Sequence, residues 1–141
     1  MGARLLEAYL DPSVYPLAPD NILVITPSPV SAYVMSGSDR FGAFTKGPLT
    51  WLWLEAYCGG TFARTLRETC WDAVIVSGAA DTPVRVHITV EGAELVPADD
   101  LWGKDPTVLE VELLGQLDKR SAVLSIGIAG ENLVKVASVM H

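Results

Sequence analysis

Arg40 heads a stretch of small and apolar residues, 40–46, that reads as a strand with Gly42 and Ala43 inside it. Glycine in a strand often marks the close approach of another backbone or of a ligand. A guanidinium at such a strand start can lie on the surface. It can also reach a phosphate or a metal cluster through two parallel hydrogen bonds. Further along comes Cys58-Gly59-Gly60, with Thr61 as candidate N-cap of a helix over 62–69. Backbone N–H groups at a helix start attract anions, and glycines let a phosphate approach the chain. A lone Gly-Gly is also what any plain turn uses. The two cysteines, Cys58 and Cys70, match no zinc or iron–sulfur spacing. A cubane cluster takes about four thiolates, so this chain cannot hold one alone.

Other chemistries find little support. His87 falls on the polar face of an alternating strand, and His141 is terminal, so no Ser–His–Asp arrangement is suggested. Neither a dinucleotide-binding nor a P-loop glycine pattern is present. Asp99-Asp100 is an adjacent acidic pair in a loop, where carboxylates ordinarily cap turns or face solvent. Ten Lys and Arg are scattered through a chain of net charge −7, which argues against nucleic acid. No apolar run reaches the roughly 18 residues of a membrane span. Met1 leads into an amphipathic segment with Arg4 and Glu7 rather than a signal peptide, so the cytoplasm is the expected compartment.

The elements that must carry Arg40 and Gly59-Gly60 belong to a chain of 141 residues, half of them hydrophobic, which is one domain's worth. So apolar a small domain implies surface meant to be covered by a partner chain or an oligomer mate. Residues 4–10 form a short helix ended by Asp11-Pro12. Strands are expected over 21–26, 40–46, 73–76 and 122–126, with a last strand over 133–140. Residues 31–34 read as a short extended piece, and the apolar run 51–57 favours core packing or self-association over stacking on a ligand. In 84–90, Val84, Val86, Ile88 and Val90 point one way, and 93–96 pairs back as a hairpin. Asp105 caps a helix that Pro106 opens, and 127–131 is a glycine-rich turn. Hairpins mixed with isolated helices define an α+β class with mixed or antiparallel sheets.

Several strings occur in a fixed order: Pro16 to Asn21, Arg40-Phe41 leading to Thr45-Lys46-Gly47-Pro48-Leu49-Thr50, Cys58 to Phe62, and Trp71 to Gly78. Leu101-Trp102-Gly103-Lys104 and Ala129-Gly130-Glu131-Asn132-Leu133-Val134 follow. Over nearly the whole chain this resembles the N-terminal domain of the tungsten-containing aldehyde:ferredoxin oxidoreductases. The resemblance implies an α+β base on which the two pterins of a tungstopterin cofactor rest. It gives Arg40 the role of bridging pterin and cluster, and it places Cys58, Gly59 and Gly60 in the segment whose backbone contacts the pterin. The family's iron–sulfur cysteines and substrate channel lie in later domains. A cluster-bearing partner subunit or a homo-oligomer, and ferredoxin at the family level, are therefore the implied partners.

The departures from the family pattern leave two readings open. Tyr57 stands in place of an asparagine, and Trp51-Leu52-Trp53 replaces a glycine-rich turn where bulky rings could fill cofactor space. Ile128 replaces a proline. The family's opening strands would precede Met1, and its phosphate-gripping segment would follow His141. In the first reading, residues 1–141 are a single partial domain, inactive alone, of an enzyme that oxidises aldehydes to carboxylates with ferredoxin as acceptor. In the second, the chain is a degenerate, cofactor-free relative acting as a binding, scaffold or oligomerisation module.

Overall fold

Helix α1 (Gly2–Tyr9) opens the chain two residues earlier than the apolar spacing indicates, because Leu5 N–H already bonds the Met1 carbonyl. It buries Gly2 and Leu6, while Tyr9 is exposed. The computed structural model describes residues 1–33 and 35–141. Two compact units follow, Met1–Ala79 and Ala80–His141.

The first unit is built on a four-stranded antiparallel sheet. β1 (Ile22–Pro27), β2 (Arg40–Lys46), β3 (Trp53–Gly59) and β4 (Val74–Ser77) lie in the order β3-β2-β1-β4. Strand alternation divides the apolar residues of β1 and β2 between the two faces. On one face Val24 sits opposite Phe44 and joins Leu6 and Ile22 in a buried cluster beneath α1. Ile25, Phe41, Ala63 and Leu66 are also buried, and the Phe41 ring meets Phe62 of helix α2 (Thr61–Glu68) edge-on at 5.1 Å. Cys70 is exposed at a left-handed φ of 67° just past the end of the helix.

The proline-rich loop before β1 is tied to the sheet by side chains. Asn21 donates to the carbonyls of Pro16 (2.7 Å) and Lys46 (3.1 Å). The Lys46 ammonium bonds the carbonyls of Pro12 (2.6 Å) and Val14 (2.8 Å). Residues 31–33 form turns rather than an extended piece, because the buried Ser31 and Ser38 hydroxyls take up local carbonyls. Val34, the end of that expected piece, lies outside the described residues.

The second unit holds the hairpin β5 (Val84–Ile88) and β6 (Ala93–Pro97), helix α3 (Pro106–Gln116), the two-residue strands β7 (Ser125–Ile126) and β8 (Val139–Met140), and the short helix α4 (Ile128–Glu131). Its core is Ala98, Leu101, Leu109, Leu113 and Val123. Asp105 caps α3 as expected, its carboxylate accepting from Thr107 N–H at 2.9 Å. The glycine-rich turn and the long last strand are corrected. The Gly127 carbonyl accepts from Gly130 (2.8 Å) and Glu131 (3.1 Å), which winds α4, and Leu133 and Val134 bond back into it. Local bonds thus take the donors that an eight-residue strand would need. The hairpin forms as expected, but its apolar stripe is not core: Val84, Val86 and Val90 are exposed and Ile88 is half-buried, as are Arg85 and His87 of the other face.

Gly42 lies within β2 directly against the core. A Cβ there would stand 2.7 Å from two Phe44 ring carbons and 3.1 Å from the Tyr57 ring. Phe44 is buried and cannot swing away. Gly42→Ala is expected to lower stability by about 1–3 kcal/mol through overpacking, measured by urea unfolding; an unchanged midpoint would show that the ring moves freely.

Candidate functional site

Arg40 reaches its place through the β2–β3 ladder, whose register sets it opposite Gly59. The chain before it is fixed by backbone bonds, with Ser28 N–H donating to the Arg40 carbonyl (2.7 Å) and Arg40 N–H to the Ser38 carbonyl (2.9 Å). The Ser31 hydroxyl, fully buried, lies 3.2 Å from the Ser38 carbonyl and 3.4 Å from that of Arg40. Ser38 secures the other side by donating to the carbonyls of Met35 (2.9 Å) and Tyr33 (3.2 Å).

At this corner of the sheet lies a cleft of about 380 Å³ lined by Gly37, Asp39, Arg40, Gly59, Gly60 and Thr61. Gly59 ends β3 and Gly60 begins the turn into α2. Thr61 is not the N-cap. That position is held by Gly60, at φ 117° and ψ −172°, a region open essentially only to glycine. Gly60 supplies no side-chain cap, and the entry to α2, Gly60 and Thr61, lines the cleft. Among the described residues Arg40 makes no ion pair. The neighbouring Asp39 bonds Arg64 of α2 instead.

Of the four residues singled out in the sequence, Arg40, Gly59 and Gly60 come together. Cys58 sits beside them on β3, exposed and outside the lining, its thiol donating to the Gly59 carbonyl at 3.3 Å. Gly37, Asp39 and Thr61 complete the lining. In the sequence Gly37 and Asp39 signal only a turn, and Thr61 only a cap.

The aromatic run lies elsewhere. Trp51 stacks edge-on against Tyr15 at 5.2 Å, with the Lys46 ammonium 5.8 Å from its ring. Lys46 is at the opposite end of β2 from Arg40. Trp53 and Tyr57 flank Phe44 at 5.8 and 5.9 Å, and both donate to the Glu55 carboxylate at 3.3 Å. Desolvation, then the charge and hydrogen bond of Glu55, raise the Tyr57 phenol above its ordinary pKa. None of these rings lines the cleft. They are not core either: Trp51, Trp53 and Tyr57 are 50%, 44% and 61% exposed, and β3 is the outer strand of the sheet.

Two strings that carry the resemblance meet in the second unit. Gly103 N–H donates to the Glu131 carboxylate at 2.9 Å, and Lys104 pairs with Glu112 of α3 at 2.5 Å. Among the described residues no group of His, Cys, Asp and Glu could hold a metal ion, and no helix is long and apolar enough to cross a membrane.

Fold and cleft together define an α+β domain with a glycine-walled corner beside an arginine that has no ion-pair partner among the described residues. The family model described as "Aldehyde ferredoxin oxidoreductase, N-terminal domain" matches residues 1–141. The tungsten-containing aldehyde ferredoxin oxidoreductase of Thermococcus kodakarensis is 36% identical over 147 residues, spanning 100% of this chain and 24% of that protein. The WOR-like subunit of an aliphatic sulfonate oxidoreductase from Pyrococcus furiosus is 25% identical over 140 residues, 90% of this chain and 22% of its own. Among solved structures, the active site complex BamBC of benzoyl coenzyme A reductase with 1,5-dienoyl-CoA superposes with a TM-score of 0.90 at 28% identity, covering 98% of this chain and 21% of that one. This chain belongs to the aldehyde ferredoxin oxidoreductase family, as its N-terminal domain. It spans about a quarter of the length of these relatives.

The glycine requirement at the helix entry is testable. Gly60→Ala is expected to destabilise the chain by about 1–3 kcal/mol, since alanine cannot hold that backbone conformation without strain. Thermal unfolding followed by circular dichroism reads the shift, and an unshifted transition would mean the turn relaxes at no cost.

Proposed function

We propose that residues 1–141 form the base on which a tungstopterin cofactor rests, in an oxidoreductase that converts aldehydes to carboxylates and passes electrons to ferredoxin. The observation that carries this reading is the convergence of Arg40, Gly59-Gly60 and Thr61, at the start of α2, on one cleft. These groups suit an anionic, hydrogen-bonding ligand. A Cβ at Gly59 would meet nothing closer than the Asp39 carbonyl at 3.8 Å, so the backbone there is open to approach. Arg40 offers a planar fork of donors, and the helix start adds N–H groups with a partial positive charge.

When bound, the cofactor supplies the redox centre. Residues of this chain bind and orient it; no residue here is assigned to catalysis. The family match runs through both units, which supports reading 1–141 as one partial domain. Cys58 flanks the cleft as a possible backbone contact only, and the iron–sulfur cluster is assigned to a further domain or to a cluster-bearing partner. Cytoplasmic location is proposed with it. The exposed aromatics of β3 and the exposed valines of β5 support a surface covered by more protein.

Those same exposed aromatics favour the second reading, a cofactor-free module that uses Trp51, Trp53 and Tyr57 to bind a partner or its own copy. One experiment separates the two. The protein, expressed in a host that makes the cofactor, is analysed for tungsten and molybdenum, and for pterin fluorescence after denaturation. Near-stoichiometric metal and pterin are expected, falling at least several-fold in Arg40→Ala. A folded protein free of both would sink the cofactor-holding reading and leave the module.

A further inference from the structure

Among the described residues lining the cleft, Asp39 is the one acid, and it adjoins Arg40 in the chain. Left to itself, a carboxylate beside a guanidinium tends to pair with it, and it also opposes any anion in the same cleft. Here Asp39 is taken at both oxygens: Oδ2 accepts from Arg64 Nη2, and Oδ1 from the Ala32 N–H at 3.4 Å. Arg40 is thereby left without an ion-pair partner among the described residues.

Arg64 gains nothing from its own helix. It sits at the fourth residue of α2, where a cation opposes the helix dipole. The other arginine of that helix, Arg67 in the last turn, is where the dipole favours it, and it pairs with Asp72. The lining itself holds one positive and one negative side chain, Arg40 and Asp39, and Arg64 pairs with Asp39 from outside that lining. Without Arg64 the Asp39 carboxylate loses that partner and can turn to Arg40.

We infer that Arg64 is a positioning residue: by engaging Asp39 it keeps Arg40 available to the anionic group of the ligand. This rests on the ligand-holding reading above. An ordinary surface ion pair would contribute little and would leave ligand affinity untouched. Arg64 and Asp39 are 49% and 21% exposed at the side chain, so the expected effect is modest and is read as affinity rather than stability.

The test uses the full chain and inorganic pyrophosphate as probe, following the amide resonances of Gly60 and Thr61. Arg64→Gln is expected to weaken binding about two- to fivefold, the scale of one partly exposed charge pair. Asp39→Asn binds at least as well as the wild type, and Asp39→Asn/Arg64→Gln binds like Asp39→Asn alone. Arg64→Lys retains most of the affinity. If Arg64→Gln weakens binding equally in the Asp39→Asn background, Arg64 touches the anion itself and the positioning role is wrong. If Arg64→Gln changes nothing while Arg40→Ala abolishes binding, the inference falls and the ligand-holding cleft stands. If the wild type does not bind pyrophosphate, or Arg40→Ala binds as well as it does, the cleft reading falls and the role of Arg64 with it.

Discussion

The burial of Phe44 is the contact on which the first unit is assembled. Its ring lies under α1 against Gly2, opposite Val24 on β1, and between the rings of Trp53 and Tyr57 on β3. One side chain thus fixes a helix and both strand pairings of β2. Because side chains alternate across a strand, a slip of one residue would turn this ring to the opposite face. The same register sets Arg40 against Gly59 at the other end of the strand. The geometry of the cleft is therefore a consequence of core packing four residues away.

The cleft also depends on what is left unsatisfied. Most polar groups around Arg40 are engaged: the Ser31 and Ser38 hydroxyls by carbonyls, and Asp39 by Arg64. The side chain of Arg40, which has no ion-pair partner among the described residues, is the exception, and it lies beside a helix entry that Gly60 leaves without a side-chain cap. A glycine at the cap position explains both its conformation and its lack of a capping side chain. A serine or aspartate there would satisfy the helix and occupy the cleft with its own oxygen. The chain holds a weaker helix start in exchange for an open donor set.

Much of this was legible in the residues. β-branched runs located β1 and β4, Asp105-Pro106 located the start of α3, and the ordered strings pointed to the family. Arg40, Gly59 and Gly60 were assigned to the site through the resemblance rather than by their residue types, and the fold brings the three together on one cleft. Asp39 and Thr61 were not legible, since their part comes from the register of the β2–β3 ladder and from the backbone angle of Gly60. The end of the chain misled for a related reason. The residues from 133 to 140 have strand-like composition, but the Gly127 carbonyl and the side-chain amide of Asn132, which donates to Ile128 at 2.8 Å, commit the preceding residues to a helical turn. The hairpin over 84–97 was legible from its alternation, whereas the exposure of Val84, Val86 and Val90 was not, because alternation groups residues on a face without saying what covers it.

The order of strands has a kinetic side. β2 and β3 are joined by a short turn, so their ladder closes a small loop of chain. β4 pairs with β1 across a much longer stretch of chain, the nearest pair, Val74 with Ile25, lying about fifty positions apart. Loop-closure entropy rises with the logarithm of length, roughly 0.6 kcal/mol per doubling, and non-local pairing slows folding. The corner bearing Arg40, Gly59 and Gly60 is thus made from chain-local contacts. It takes shape without waiting for the most distant strand of the sheet to arrive.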